Sequence, residues 1–171
     1  MTDTNSTTLS KDRLLSCDDE SLKRECRFEA CRGTGPGGQK RNKTSSAARL
    51  THIASGISAM DDVTRSQHKN LQNALWKLRL ELAVNLPPDN PAPHPPTIPL
   101  EPVPGCNAKT FAAWAGQLFD QFQIYAFEPS PVAAAYGCTP GRLLRLMGKN
   151  PAIWQHFAQC RQRRGLPPLH A

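Results

Sequence analysis

The alternation of apolar and polar positions changes period along this 171-residue chain. Residues 1–20 are polar and turn-rich with little to bury, and are expected to form a flexible tail. From Glu25 the period is two: Cys26, Phe28 and Ala30 alternate with Arg27, Glu29 and Cys31, which predicts a strand with one apolar face. Ala48 to Ile53 reads as a second strand, Ala54-Ser55-Gly56 as a turn, and Ile57 to Met60 as the start of a third strand. Asn42 to Ser46 suits a short helical turn. Thr64-Arg65-Ser66-Gln67 fits a capping box with Thr64 as N-cap. Leu71, Ala74, Leu75, Leu78 and Leu82 then recur at three- and four-residue intervals, one apolar stripe on a helix of about 65–84 that covers the sheet. Lys69, Lys77 and Arg79 fall off that stripe and are expected to face solvent or RNA.

Leu86 to Gly105 holds 9 of the 16 prolines. Proline lacks a backbone donor and fixes φ, so this run is neither helix nor central strand. It reads as a stiff linker whose 20 residues would reach about 60 Å at about 3.1 Å each. Helical period returns over Ala108 to Phe127, with Phe111, Trp114, Ala115, Leu118, Phe119 and Phe122 on one side. Pro131 to Tyr136 starts a short helix and Gly137-Cys138 makes a turn. Thr139-Pro140 and Asn150-Pro151 each place a capping residue before a proline at the first helical position. They open helices over Arg142 to Met147 and as far as Arg161. The predicted class is α+β: a flexible tail (1–20), a small strand–loop–hairpin–helix domain (21–85), a proline-rich linker (86–105) and a basic all-α domain (106–171).

Charge sharpens this division. The formal charge is +7 and the pI about 9.4. Residues 1–19 and 86–105 each carry −2, whereas 20–85 carry +6 and 106–171 carry +5. Both predicted folded parts are cationic, which points to an acidic partner such as nucleic acid. No apolar run approaches the 18 or so residues of a membrane span. The N-terminus has no signal-peptide pattern, so a cytoplasmic protein without membrane attachment is expected. The six cysteines form no C-x-x-C pair and no zinc-finger spacing, so no metal site is expected and reduced thiols are the default.

The chemistry concentrates in Arg32-Gly33-Thr34-Gly35-Pro36-Gly37-Gly38-Gln39-Lys40-Arg41-Asn42-Lys43-Thr44. Its glycines let another molecule approach bare main-chain N–H groups, beside one amide side chain and a run of base. Several patterns overlap here. Gly33-x-Gly35-x-x-Gly38 matches the dinucleotide fingerprint, but apolar strand character returns some nine residues later, too soon for its crossover helix. Gly33 and Gly38 have the spacing of a nucleotide-hydrolase phosphate loop, but Gln39 stands where the lysine belongs. A plain flexible turn is the bland reading.

Gly37-Gly38-Gln39, followed by Asn42-Lys43-Thr44, resembles the GGQ loop of class I peptide-chain release factors. The likeness continues through Ala47-Ala48-Arg49-Leu50-Thr51-His52-Ile53-Ala54-Ser55-Gly56-Ile57 and Thr64-Arg65-Ser66-Gln67-His68-Lys69-Asn70, and covers about residues 22–84. The resemblance implies hydrolysis of the ester joining a nascent peptide to transfer RNA, with Gly37, Gly38 and Gln39 catalytic and no cofactor. The partners it implies are peptidyl-tRNA and the ribosome, at the large-subunit rRNA of the peptidyl-transferase centre. It also implies that Gln39 is a target for N5-methylation by a glutamine methyltransferase. Lys40, Arg41, Asn42, Lys43, Thr44, Arg49, Arg65, Gln67 and Lys69 would hold RNA. His52 and His68 read as ordinary packing or surface histidines.

The family's stop-codon-reading domains have no counterpart here, and the lysine-rich tail common in rescue factors is replaced by a proline-rich run and compact basic helices. A codon-independent factor that frees stalled ribosomes is therefore expected. In the C-terminal region Ala133, Gly137, Leu143 and Leu146 fall at helix-turn-helix spacing. Arg142, Arg145 and Lys149, with Arg161, Arg163 and Arg164, would meet nucleic acid there, though a three-helix packing unit explains the same pattern. Two further readings stay open: a non-catalytic ribosome- or rRNA-binding factor, and a DNA-binding regulator.

Overall fold

The computed structural model describes residues 9–31, 46–105 and 109–170. The predicted turn at 42–46 therefore lies almost wholly outside the described residues. The chain divides into two compact units, 1–85 and 86–171.

In the first unit two short helices, α1 (Lys11–Ser16) and α2 (Asp19–Arg24), occupy the later part of the expected flexible tail, whose residues 1–8 lie outside the described residues. Ser10 and Asp18 cap them by accepting from the N–H groups of Arg13 and Ser21. The reason they are held is remote in sequence. Arg79 is only 7 % exposed, and its guanidinium donates to the carbonyls of Leu14 (3.0 Å) and Cys17 (2.7 Å) and pairs with Asp19 at 2.9 Å. The expectation that Arg79 faces solvent or RNA is thus corrected. A guanidinium carries enough donors to satisfy several carbonyls at once, and Leu14 and Leu22 are buried completely beneath them.

Strands β1 (Cys26–Cys31), β2 (Ala47–His52) and β3 (Ser58–Asp61) form an antiparallel sheet in that order. Gly56, at φ +70, makes the turn between β2 and β3. Helix α3 (Gln67–Asn85) packs over β2 and β3 and buries Ala74, Leu75, Leu78 and Leu82 against Ala48 and Leu50. Each buried leucine contributes about 1.5–3 kcal/mol relative to exposure. β1 is an outer strand, and Phe28, opposite Leu50, remains 44 % exposed. The apolar face expected of β1 is therefore present but only partly covered. The helix start also differs from expectation. Ser66 is the cap, its carbonyl accepting from Asn70 and its Oγ from the Lys69 N–H, while Thr64 is engaged with the Asn70 side chain.

The second unit comprises α4 (Lys109–Ile124), α5 (Pro129–Ala135), α6 (Pro140–Gly148) and α7 (Pro151–Arg163). The caps expected at Thr139 and Asn150 form, each side chain accepting from N–H groups of the first turn. The core is aromatic: Phe122 lies 4.7 Å from Phe157 and 5.8 Å from Phe127 between ring centroids. Helix α4 stops short of the expected Phe127 because Ala126 and Phe127 turn to φ +51 and +62. The proline-rich run lies along α4 as a strap, so its 60 Å reach as a free spacer does not apply. Gln117 Oε1 accepts from the N–H groups of Thr97 and Ile98, both at 2.8 Å, and its amide donates to Ile98 O at 2.7 Å. Gln121 donates to His94 O, Gln123 to Leu86 O and the Trp114 indole to Leu100 O. The carbonyls of Leu86, His94 and Ile98 each precede a proline. Prolines leave such carbonyls without ladder partners, and the helix side chains supply the donors.

Candidate functional site

Residues 32–45, with Gly37, Gly38, Gln39, Lys40, Arg41, Asn42, Lys43 and Thr44, lie outside the described residues. What the structure defines is the place from which that segment springs. Cys31 pairs with Ala47 as the last register position of β1 and β2. Antiparallel partners stand about 5 Å apart at their Cα atoms, so both roots of the glycine-rich segment sit together at one end of the sheet. Ser46, the residue before β2, is bound through its carbonyl to Asn70 Nδ2 at 2.7 Å.

Asn70 is fully buried. Its Oδ1 accepts from the Thr64 N–H (2.9 Å) and the Thr64 hydroxyl (2.8 Å), and its Nδ2 also donates to the Thr64 carbonyl at 2.8 Å. All four hydrogen-bonding positions of the amide are occupied. One side chain on the first turn of α3 therefore ties the loop root, the β3–α3 connection and the helix together. The sequence places Asn70 in a motif without giving it a role. The one available signal is an amide inside a helix start, where a side chain with two donors and two acceptors competes well for backbone groups.

The adjacent corner is held electrostatically. Asp61, 3 % exposed, receives Lys77 Nζ at 2.7 Å, the Val63 N–H at 3.2 Å and Asn73 Nδ2 at 3.3 Å. Burial pushes this carboxyl up, but the Lys77 ammonium and the two N–H donors outweigh it and leave it below the ordinary carboxylate range. An acid so fully engaged is not available as a base. Lys77, expected to face solvent or RNA, is spent on Asp61 and on the Met60 carbonyl.

Of the other expected RNA ligands in this unit, Arg65, Gln67 and Lys69 are exposed beside Asn70, on the connection and first turn that reach Ser46. Arg49 is exposed on the sheet face away from α3 and contacts Met60 Sδ at 4.0 Å. Among the described residues no carboxylate is paired with Arg49, Arg65 or Lys69. By contrast Arg13 is bound to Glu25 through two short bonds (2.7 and 2.8 Å). His68 is exposed. His52 is fully buried, its Nδ1 accepting from the Ser55 N–H and its Nε2 facing Glu25 at 3.5 Å. Cys26, half-hidden beneath α2, has its thiol pushed up to about 11 by burial, so it stays protonated and unreactive at neutral pH.

The expected nucleic-acid contacts of the second unit separate into different groups. Arg145 and Lys149 are exposed, and Arg142 is exposed but paired with Glu101. Arg163 is exposed, and Arg164 stacks over the Phe127 ring at 4.2 Å. Arg161 is not available to a polymer. It is 4 % exposed, with its guanidinium donating to the carbonyls of Phe127 and Pro167. It is a structural cation that closes the C-terminal turn, which corrects its assignment as an RNA contact. A groove of about 440 Å³ beside it, lined by Trp154, Phe157 and Leu169, is largely apolar.

Residues 19–91, which hold the three-stranded sheet, the long helix and the Gly-Gly-Gln segment between two paired strand ends, match the RF-1 domain. That part of the chain is similar to the class I release factors. It is 43 % identical over 75 residues to the Peptide chain release factor homolog of Escherichia coli (strain ATCC 25922), covering 42 % of this chain and 37 % of that protein. It is 48 % identical over 59 residues to Peptide chain release factor 1 of Ehrlichia canis (strain Jake), and 48 % over 58 residues to Peptide chain release factor 2 of Paramagnetospirillum magneticum. The chain spans 16 % of the length of each of these last two. Among the described residues no helix is long and apolar enough to cross a membrane.

Proposed function

We propose that the protein is a ribosome-dependent, codon-independent peptidyl-tRNA hydrolase that acts in the cytoplasm and frees stalled ribosomes. The observation that carries this reading is the Gly37-Gly38-Gln39 triplet inside an RF-1 domain whose loop roots are paired and braced by Asn70. Water attacks the ester carbonyl, and negative charge develops on the carbonyl oxygen. A preorganised N–H donor at that oxygen is worth about 3–4 kcal/mol, and the backbone N–H of Gln39 is the donor we assign. Gly37 and Gly38 remove side chains where the segment must enter a confined RNA cavity. The Gln39 side chain positions the water and is the methylation target. The described residues next to the root offer cations and amides, while Asp61 is neutralised by Lys77. That distribution suits a site completed by the peptidyl-transferase centre of the ribosome.

Codon independence is supported by the unit C-terminal to the RF-1 domain, a strapped helical body with an excess of cations. The test is peptide release from ribosomes carrying peptidyl-tRNA over a stop codon, a sense codon or a truncated message, and from separated large subunits. Release without dependence on the codon is expected. Gly38→Ala abolishes it and Gln39→Ala reduces it strongly. Release confined to stop codons removes the codon-independent reading, and full release by both variants removes the loop from the mechanism.

A further inference from the structure

We propose that the exposed face of α6 is an RNA-docking surface that grips the phosphate backbone through Arg145 and Lys149. Helix α6 is amphipathic: Leu143, Leu146 and Met147 are buried, while Arg142, Arg145 and the cap residue Lys149 emerge on the other side. At 100° per residue these three cations fall within about 60° of one another. The helix contains no acidic residue. Glu101, on the proline-rich strap, is consumed by Arg142. Arg145 bonds back to the Gly141 carbonyl at 3.2 Å, and among the described residues neither it nor Lys149 has a carboxylate partner. In the first unit, by contrast, Arg13, Lys23, Arg27, Lys77 and Arg79 each meet an acid. Leaving two neighbouring cations unmatched on a rigid, twice-capped helix pair suits a polyanion rather than an internal role.

The same helix argues against sequence reading in duplex DNA. A recognition helix contacts base edges with side chains of its N-terminal turns. Here those turns carry Pro140 and Gly141, which have no hydrogen-bonding side chain, and Arg142, which is already paired. What remains are point contacts to phosphate, which position a protein without specifying sequence. Ribosomal RNA is the occupant we assign. That choice of polyanion rests on the function proposed above, because the RF-1 domain carries this unit to the ribosome.

The full-length chain and its Arg145→Ala/Lys149→Ala variant are titrated against purified ribosomes and against a duplex DNA over a range of salt. The variant keeps the thermal midpoint of the wild type, since both side chains are exposed. Its affinity for ribosomes falls at least about ten-fold, and the slope of log Kd on log salt drops by about 1.4–1.8, the loss of two phosphate contacts. Glu101→Gln, which frees Arg142, tightens binding. Equal affinity and slope for wild type and variant overturn the proposal, as does preference for the duplex. Wild type that binds through these residues yet releases no peptide defeats the hydrolase reading and leaves this surface standing. A variant that binds like a releasing wild type defeats the surface alone, and a wild type that ignores ribosomes defeats both.

Discussion

Asn70 Nδ2 and the carbonyl of Ser46 meet at 2.7 Å, 24 residues apart in sequence. This bond joins the first turn of the long helix to the residue on which the glycine-rich segment returns to the sheet. The catalytic tip of the proposed mechanism would depend on a donor placed to within a fraction of an ångström, and that mechanism would need its root braced.

Asn70→Ala leaves Ser46 O, Thr64 N and Thr64 O without their partner. Each loss costs about 1–3 kcal/mol if the group stays buried, and partial rehydration brings the expected total to about 2–4 kcal/mol, read as a shift of the urea midpoint. If the brace serves catalysis, the folded variant retains its half-saturation for ribosomes while its turnover falls. Wild-type turnover per folded molecule would reduce Asn70 to a purely structural residue.

Arg79→Met removes the donors that hold α1 and α2 while keeping much of the side-chain volume. Hydrogen bonds to a charged group are worth about 1.5–3 kcal/mol, and the partly exposed Asp19 pair adds little. Hydrogen exchange is the direct readout: amides of residues 11–24 should lose protection while those of β2 keep it. Unchanged protection at Leu14 and Leu22 would show that their burial suffices.

Asp61 sets an acid limb. Its folded pKa lies below the ordinary value, so its contribution to stability is present above the ordinary carboxylate range and is lost as pH falls through the depressed folded value. Asp61→Asn is expected to lower stability at neutral pH and to flatten the dependence of stability on pH in that acidic window. Glu25, lowered chiefly by its bonds to Arg13, acts with the same sign and leaves a residual slope. An undiminished acid limb in the variant would assign the effect elsewhere.

Gln117→Leu should loosen the strap. Four hydrogen bonds to Thr97 and Ile98 disappear, each worth about 1 kcal/mol net, and exposure of Thr97 lets water recover much of that. Faster exchange at the Thr97 and Ile98 amides, with a midpoint loss of about 1–2 kcal/mol, is the expected outcome. If the segment remains protected, Leu100 and Trp114 hold it without the amide.

Local signals in this chain are strong where one side chain or one period carries the information. The period-two run at 26–31, the leucine stripe at 71–82, and the Thr139-Pro140 and Asn150-Pro151 caps each correspond to an observed element within a few residues. The Gly-Gly-Gln motif and the two motifs after it all lie within the residues that match the RF-1 domain. Sequence expectation fails where a distant partner decides. Arg79 and Arg161 have the sequence appearance of surface cations, yet both are buried because clusters of backbone carbonyls are gathered around them. The proline-rich run has the composition of a spacer because it forbids helix and strand, but composition is silent about glutamines waiting on a neighbouring helix.

Period, capping and short motifs act within a few residues, and so the α+β class, the order of the elements from β1 onward, the family likeness of the first unit and the make-up of its Gly-Gly-Gln segment can all be read along the chain. The bracing of Ser46 by Asn70, the docking of residues 11–24 onto Arg79 and the identity of the unmatched cations cannot. These depend on which donors and acceptors meet once the chain has folded, because a buried polar group must find a partner wherever the fold has brought one.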